Sequence, residues 1–169
     1  MMLVPLLAAG PAGAFFEPPM PQVLDARPVL PLAVEPSIGD GLDAGRGHEG
    51  VDLFAPAGTP LLAVDDAIVV ATGSDGGRGN YVSIYDRERN RTYNYLHMLA
   101  PALVTPGEQV ETGEKLGELG CTGSCWGNHL HFELRVGRGA NGPVLDPVPL
   151  VERLHPAPPR RLPPVLAPR

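Results

Sequence analysis

Positive charge is in short supply in this chain: 13 Lys and Arg stand against 19 Asp and Glu, a net charge of −6. Binding to a phosphate backbone needs a basic face, which argues against nucleic acid as the main partner. Aromatic residues make up only 5 %, with a single Trp. No run of eighteen apolar residues occurs, so the sequence holds no conventional transmembrane segment. No HExxH is present, which removes a glutamate base of the thermolysin kind. No window has the 3.6-residue periodicity of an amphipathic helix of ordinary length. Gly and Pro are abundant instead, 21 of each in 169 residues that are 43 % hydrophobic. That is enough chain for one domain with a hydrophobic core, and its composition calls for short strands and many turns.

Three regions differ in composition. Residues 1–37 hold eight prolines and read as a leader-like segment followed by an extended arm. Their start, MMLVPLLAAGPAGAFFEPP, is apolar with no acid before Glu17, and Ala12-Gly13-Ala14 suits a signal cleavage site, although a positive n-region is missing. Export to the periplasm or cell envelope is expected. Residues 38–150 carry the strand patterns and form the expected domain. Residues 151–169 are a Pro/Arg-rich tail, with six prolines and four arginines in 153–169. Proline removes backbone donors, so this tail cannot join a sheet and is expected to be extended or disordered, and solvated.

The domain reads as β throughout. Leu61-Leu62-Ala63-Val64 and Ala67-Ile68-Val69-Val70-Ala71 are short β-rich runs separated by Asp65-Asp66. Tyr81 to Tyr85 and Thr92 to His97 flank a polar turn and form a hairpin. Short pieces follow at Val110 to Gly113 and Lys115 to Leu119. The cleanest alternation is His129-Leu-His-Phe-Glu-Leu-Arg-Val136, with Leu130, Phe132, Leu134 and Val136 on one face and His129, His131, Glu133 and Arg135 on the other.

Four of the five histidines sit in motif-like positions: His48-Glu-Gly-Val-Asp52, His97 at the end of the hairpin, and His129-Leu-His131. Zinc takes neutral imidazole nitrogen and carboxylate oxygen, and a catalytic site uses three protein ligands while leaving a position for water. An offset of four in an extended segment keeps His48 and Asp52 on one side, and an offset of two does the same for His129 and His131. Strand spacing puts the α-carbons of that histidine pair roughly 6.5 to 7 Å apart, which suits one ligand and one neighbour but does not say which is which. Glu133 shares their face and could orient His131; a solvated carboxylate is the expectation. Cys121 and Cys125, in Cys-Thr-Gly-Ser-Cys, are expected to form a disulfide, with free thiols or zinc thiolates as the alternatives. A turn at Gly123 would bring their α-carbons within about 7 Å.

Residues 46–136 resemble the lysostaphin-type (LytM-like, M23) peptidoglycan endopeptidases. The resemblance is carried by Arg46-Gly-His48-Glu-Gly-Val-Asp52-Leu-Phe-Ala-Pro56-Ala-Gly58-Thr59-Pro60, by Gly79-Asn-Tyr-Val-Ser-Ile with Thr92-Tyr-Asn-Tyr95-Leu-His97, and by Pro106-Gly107-Glu-Gln-Val110-Glu-Thr-Gly113. Gly120-Cys-Thr122-Gly123 and Gly127-Asn-His129-Leu-His131-Phe-Glu133 complete it. It implies an all-β fold of antiparallel sheets in a barrel-sandwich-hybrid-like architecture. It implies one zinc ion held by His48, Asp52 and His131, with His97 and His129 as the catalytic pair, one accepting a proton from water and the other stabilising the oxyanion or protonating the leaving amine. The implied substrate is peptidoglycan stem peptides and cross-bridges, and a monomer is expected. The direct D-alanyl–diaminopimelate cross-link is preferred over glycine bridges, because nothing suggests a glycine-bridge targeting module. Cys121, Cys125 and Trp126 depart from the small polar loop that precedes HxH in the family.

Three rivals follow from the same residues. A non-catalytic relative that activates other wall hydrolases is opposed by the five filled positions. A biotinyl- or lipoyl-like carrier, suggested by 105–117, lacks a lysine at a hairpin tip. An endopeptidase aimed at a protein substrate is the third.

Overall fold

A computed structural model describes residues 28–45 and 47–159 of the protein. Ala12-Gly13-Ala14 and the end of the Pro/Arg-rich tail lie outside the described residues. The elements in chain order are β1 (Ser37–Ile38), β2 (Val51–Phe54), β3 (Pro60–Leu62), β4 (Ala67–Asp75), β5 (Gly79–Asp86), β6 (Arg91–Met98), β7 (Gln109–Val110), β8 (Lys115–Glu118), β9 (His129–Val136), β10 (Val144–Leu145) and the single-turn helix α1 (Val148–Val151). The main sheet runs β1-β2-β9-β6-β5-β4-β7, with β10 also paired to β9, and β3 pairs β8 in a small second sheet. All pairings are antiparallel. The expected all-β class is therefore observed, as an open main sheet rather than a closed barrel.

The alternation on β9 explains its central place. Leu130, Phe132 and Leu134 are buried on one face. Phe132 stacks on Tyr93 at 6.1 Å and meets Tyr95 edge-on at 5.3 Å, contacts that add to area burial. Val136 ends the strand and is 38 % exposed, so the apolar face stops one residue short of the pattern. The Tyr95 hydroxyl donates to Leu62 O (2.9 Å) and accepts from Val64 N–H (3.1 Å), tying the main sheet to the strand of the second sheet. Burial pushes its pKa well above the ordinary tyrosine value, against the lowering effect of the Val64 bond. The arm before β1 is part of this core: Leu30 and Leu32 are buried, Leu32 bridges Leu61, and Leu30 N–H donates to His155 O at 3.0 Å.

Two features outside the sequence patterns position the site. The first is β2, too short to alternate visibly, which lies beside β9 with Asp52 opposite His131 and Phe54 opposite His129. The second is a bulge on β6. Asn80 pairs with Met98 and Val82 with Tyr95, so Tyr81 alone faces both Leu96 and His97. His97 adopts φ +62° there, a left-handed conformation that costs a non-glycine residue about 1–2 kcal/mol. Strict alternation would send His97 into the core behind Tyr93 and Tyr95; the bulge turns it to the opposite face.

Candidate metal centre and histidine pair

Each of the five polar residues singled out by the sequence is brought to one cleft of about 480 Å³, lined also by Gly39, Asp40, Phe54, Gly77, Leu96, Ser124 and Trp126. Three of them converge. His48 Nε2 lies 3.0 Å from Asp52 Oδ1 and 2.9 Å from His131 Nδ1, and His131 Nδ1 lies 2.9 Å from Asp52 Oδ1. Among the described residues this is the group whose His and carboxylate atoms are placed to share a metal ion.

The partners on the far side of each ring decide which nitrogen faces inward. His48 Nδ1 donates to Gly41 O at 2.8 Å, leaving the Nε2 lone pair toward Asp52. His131 Nε2 lies 3.4 Å from Glu133 Oε1, leaving Nδ1 inward. With both rings neutral, two imidazole lone pairs and a carboxylate oxygen this close together repel one another, and either a proton on His131 Nδ1 or a metal ion in its place relieves that repulsion. Neutral imidazoles oriented by outer hydrogen bonds, with one carboxylate, make a donor set that suits zinc.

Glu133 is not the solvated carboxylate expected. It is 7 % exposed, accepts from Asn94 Nδ2 (2.6 Å) and Arg135 Nε (2.8 Å), and faces His131. Arg135 reaches on to Glu49 at 2.7 Å. The alternation on β9 places these side chains on one face but does not reveal that the face is covered, because the cover comes from Glu49, Asn94 and residues 140–142. Asn94 is a site residue that the sequence reading omits; its place two residues after Thr92 on the histidine-bearing hairpin is the signal for it.

These contacts set the local charges. Burial disfavours an ionised Asp52, but the bond to His131 and the nearby histidines outweigh it and hold its pKa down to about 2. Burial likewise opposes charge on Glu133, and the bonds from His131, Arg135 and Asn94 bring it down to about 2. At His131 burial works against the proton, yet Asp52 and Glu133 hold the pKa up to about 9.

His97 and His129 form the facing wall. Their ring centroids are 5.0 Å apart, and His97 is 6.0 Å from His131. His97 Nδ1 donates to Thr122 O at 2.8 Å, and His129 Nδ1 donates to Gly127 O at 2.9 Å. Both rings therefore turn Nε2 away from these carbonyls, and that of His129 lies 3.6 Å from Asp52 Oδ1. Burial lowers the His97 pKa from the ordinary histidine value, with its Thr122 bond opposing. Phe54 packs on His129 with centroids 5.4 Å apart. Cys121 and Cys125 are joined in a disulfide with α-carbons 5.3 Å apart, and Gly123 between them has φ +75°.

Residues 46–147 match the family described as Peptidase family M23. The peptidoglycan DD-endopeptidase ShyC of Vibrio cholerae is 44 % identical over 93 residues, 54 % of this chain and 21 % of that protein. Lysostaphin of Staphylococcus simulans is 33 % identical over 113 residues, 66 % of this chain and 22 % of that protein. The chain thus matches under a quarter of the length of these two relatives. The solved catalytic domain of Staphylococcus simulans lysostaphin superposes with a TM-score of 0.63 at 30 % identity, covering 69 % of this chain and 92 % of that domain.

Proposed function

The chain belongs to peptidase family M23, and from that membership we propose that it is a zinc-dependent endopeptidase that hydrolyses peptide cross-links of bacterial peptidoglycan. The observation that carries the reading is the meeting of His48 Nε2, Asp52 Oδ1 and His131 Nδ1 in a cleft whose other wall is His97 and His129. In this reading 38–150 is the peptidase domain, 1–37 a leader and arm, and 151–169 a tail. The protein acts outside the cytoplasm, where its substrate is. The D-alanyl cross-link is the preferred bond, supported by the DD-endopeptidase names of ShyC and ShyA, which are 44 % and 40 % identical.

His48, Asp52 and His131 would hold the ion. Zinc bound there would supply Lewis acidity toward the scissile carbonyl and lower the pKa of water toward about 7. The remaining work falls to the facing histidines. With Nδ1–H committed to a backbone carbonyl, a neutral imidazole keeps an acceptor at Nε2. One of His97 and His129 accepts the proton of the attacking water, and the other stabilises the oxyanion or protonates the departing amine. A lowered His97 pKa favours its neutral form at neutral pH. Phe54 and Trp126 border the cleft where the stem peptide would lie.

The test is lysis of isolated sacculi with and without chelator, alongside zinc analysis. His129→Ala retains zinc and loses activity; His131→Ala loses both. Stoichiometric zinc in a wild-type protein that releases no cross-linked peptides would sink the proposal, and opposite behaviour of the two variants would overturn the ligand assignment.

A further inference from the structure

Both carbonyls that orient the histidine pair come from one short stretch of chain: Thr122 lies inside the loop closed by the Cys121–Cys125 disulfide, and Gly127 lies just beyond it. The two are anchored very differently. Thr122 has fastenings of its own: its hydroxyl donates to Met98 O (2.7 Å) and accepts from Asn80 N–H (2.9 Å). The next residues are also held, since Ser124 N–H donates to Gly77 O at 2.9 Å and a Cβ on Gly123 would lie 2.2 Å from Gly79 N. Beyond Cys125 this ends. Trp126, Gly127 and Asn128 make no backbone–backbone hydrogen bond among the described residues, Trp126 is 80 % exposed, and Gly127 sits at φ +93°. The covalent link from Cys125 back to Cys121 is the tether nearest to Gly127 on its N-terminal side.

We propose that the Cys121–Cys125 disulfide is a positioning device for His129: it fixes the Gly127 carbonyl that keeps the His129 proton on Nδ1, while His97 is held independently through Thr122. The role assigned to His129 rests on the peptidase reading above; the positioning itself does not. Opening the disulfide lets residues 125–128 move, so the Gly127 acceptor leaves Nδ1 and the proton can pass to Nε2, the nitrogen turned toward Asp52. Misplacing a reacting group by about 1 Å costs on the order of 10²-fold in rate. His48, Asp52 and His131 are supported by Gly41, Glu133 and the β2–β9 pairing, none of which involves this loop.

The experiment uses the zinc-loaded full chain, oxidised and then reduced with tris(2-carboxyethyl)phosphine, which carries no thiolate to compete for zinc. The phosphine supplies two electrons and water supplies two protons, leaving two cysteine thiols and the phosphine oxide. Imidazole ¹H–¹⁵N spectra, zinc content, polarisation of the single Trp and kcat on sacculus-derived muropeptides are read together. On reduction the His129 pattern should lose its Nδ1–H form while His97 keeps it. Zinc should stay stoichiometric, Trp126 polarisation should fall, and kcat should drop on the order of 10²-fold. Reoxidation should restore all of these. The double variant Cys121→Ser, Cys125→Ser should match the reduced protein without being restorable; reduced wild type serves if that variant does not fold. An unchanged His129 pattern overturns the proposal. So does loss of the His97 Nδ1–H form or of zinc, which would mean that the disulfide supports the site as a whole. Muropeptides left uncut by the oxidised protein would remove the peptidase reading, while the spectra would still decide the positioning.

Discussion

Replacing Glu133 by Gln isolates the value of a buried charge behind the metal group. Glu133 is 7 % exposed, and its pKa is held at about 2 against an ordinary 4.5. One pKa unit is about 1.4 kcal/mol, so the ionised form stabilises the metal-free fold by ~3 kcal/mol relative to a neutral carboxyl at pH 7. Gln approximates that neutral carboxyl. Glu133→Gln should therefore cost ~3 kcal/mol at pH 7, a shift of ~1.5 M in urea midpoint for a slope of about 2 kcal/mol/M. The depressed pKa also sets a sign. Stability from Glu133 is fully present above its unfolded value near 4.5 and is lost as pH falls through about 2. The gap between wild type and variant should narrow to ~1.4 kcal/mol at pH 3 and nearly close at pH 2. The raised His131 pKa reports part of the same attraction, so it is not added. Zinc affinity should fall by roughly 10- to 100-fold, since a ligand loses its orienting partner. Urea unfolding of chelator-treated protein at pH 7 and pH 3 decides the matter: a gap under about 1 kcal/mol at pH 7, or one independent of pH, refutes the reasoning.

Other consequences are open to simpler checks. Asp65 is buried beside Asp86 and Arg89; burial holds its pKa up to about 6 despite the Arg89 charge. A carboxyl with a raised pKa loses stability as pH rises from about 4 to 6, so Asp65→Asn should gain up to ~3 kcal/mol at pH 7.5 and almost nothing at pH 4. Denaturation at the two pH values measures this, and an equal effect at both contradicts it. A Cβ at Gly50 would lie 2.5 Å from Phe132 O and 2.9 Å from His131 Nε2. Gly50→Ala should cost about 1–3 kcal/mol and weaken zinc binding; unchanged Tm and zinc titration would show that β9 gives way freely. Trp126→Ala removes an indole that is 80 % exposed, so stability should stay within about 0.5 kcal/mol while KM for muropeptides rises. An unchanged KM would mean that the indole does not touch substrate.

The two histidine motifs differ in how much the sequence could say of them. On β9, period-two alternation puts His129, His131, Glu133 and Arg135 on one face, and the strand obeys it. That the face is buried rather than solvated was not legible, because Asn94, Glu49 and residues 140–142 come from distant parts of the chain. On β2 the strand is four residues long, too few for a pattern, so the pairing of Asp52 with His131 is a matter of register. Leu30 and Leu32 lie in a proline-rich arm with no periodicity, yet both are fully packed.

By itself the sequence determined the β class, through short alternating runs between Gly and Pro turns, and it pointed to a metal donor set, through imidazoles beside a carboxylate. It left His129 and His131 equivalent, since both point the same way from one strand. Their different surroundings come from tertiary contacts: Nδ1 of His131 meets Asp52 and His48, whereas Nδ1 of His129 is occupied by the Gly127 carbonyl. For His97 tertiary structure went further and reversed the local rule. Alternation alone would bury it with Tyr93 and Tyr95, and a one-residue bulge against β5, with φ at +62°, brings it into the cleft instead. A bulge is a mismatch between two strands, so no pattern within either strand can reveal it.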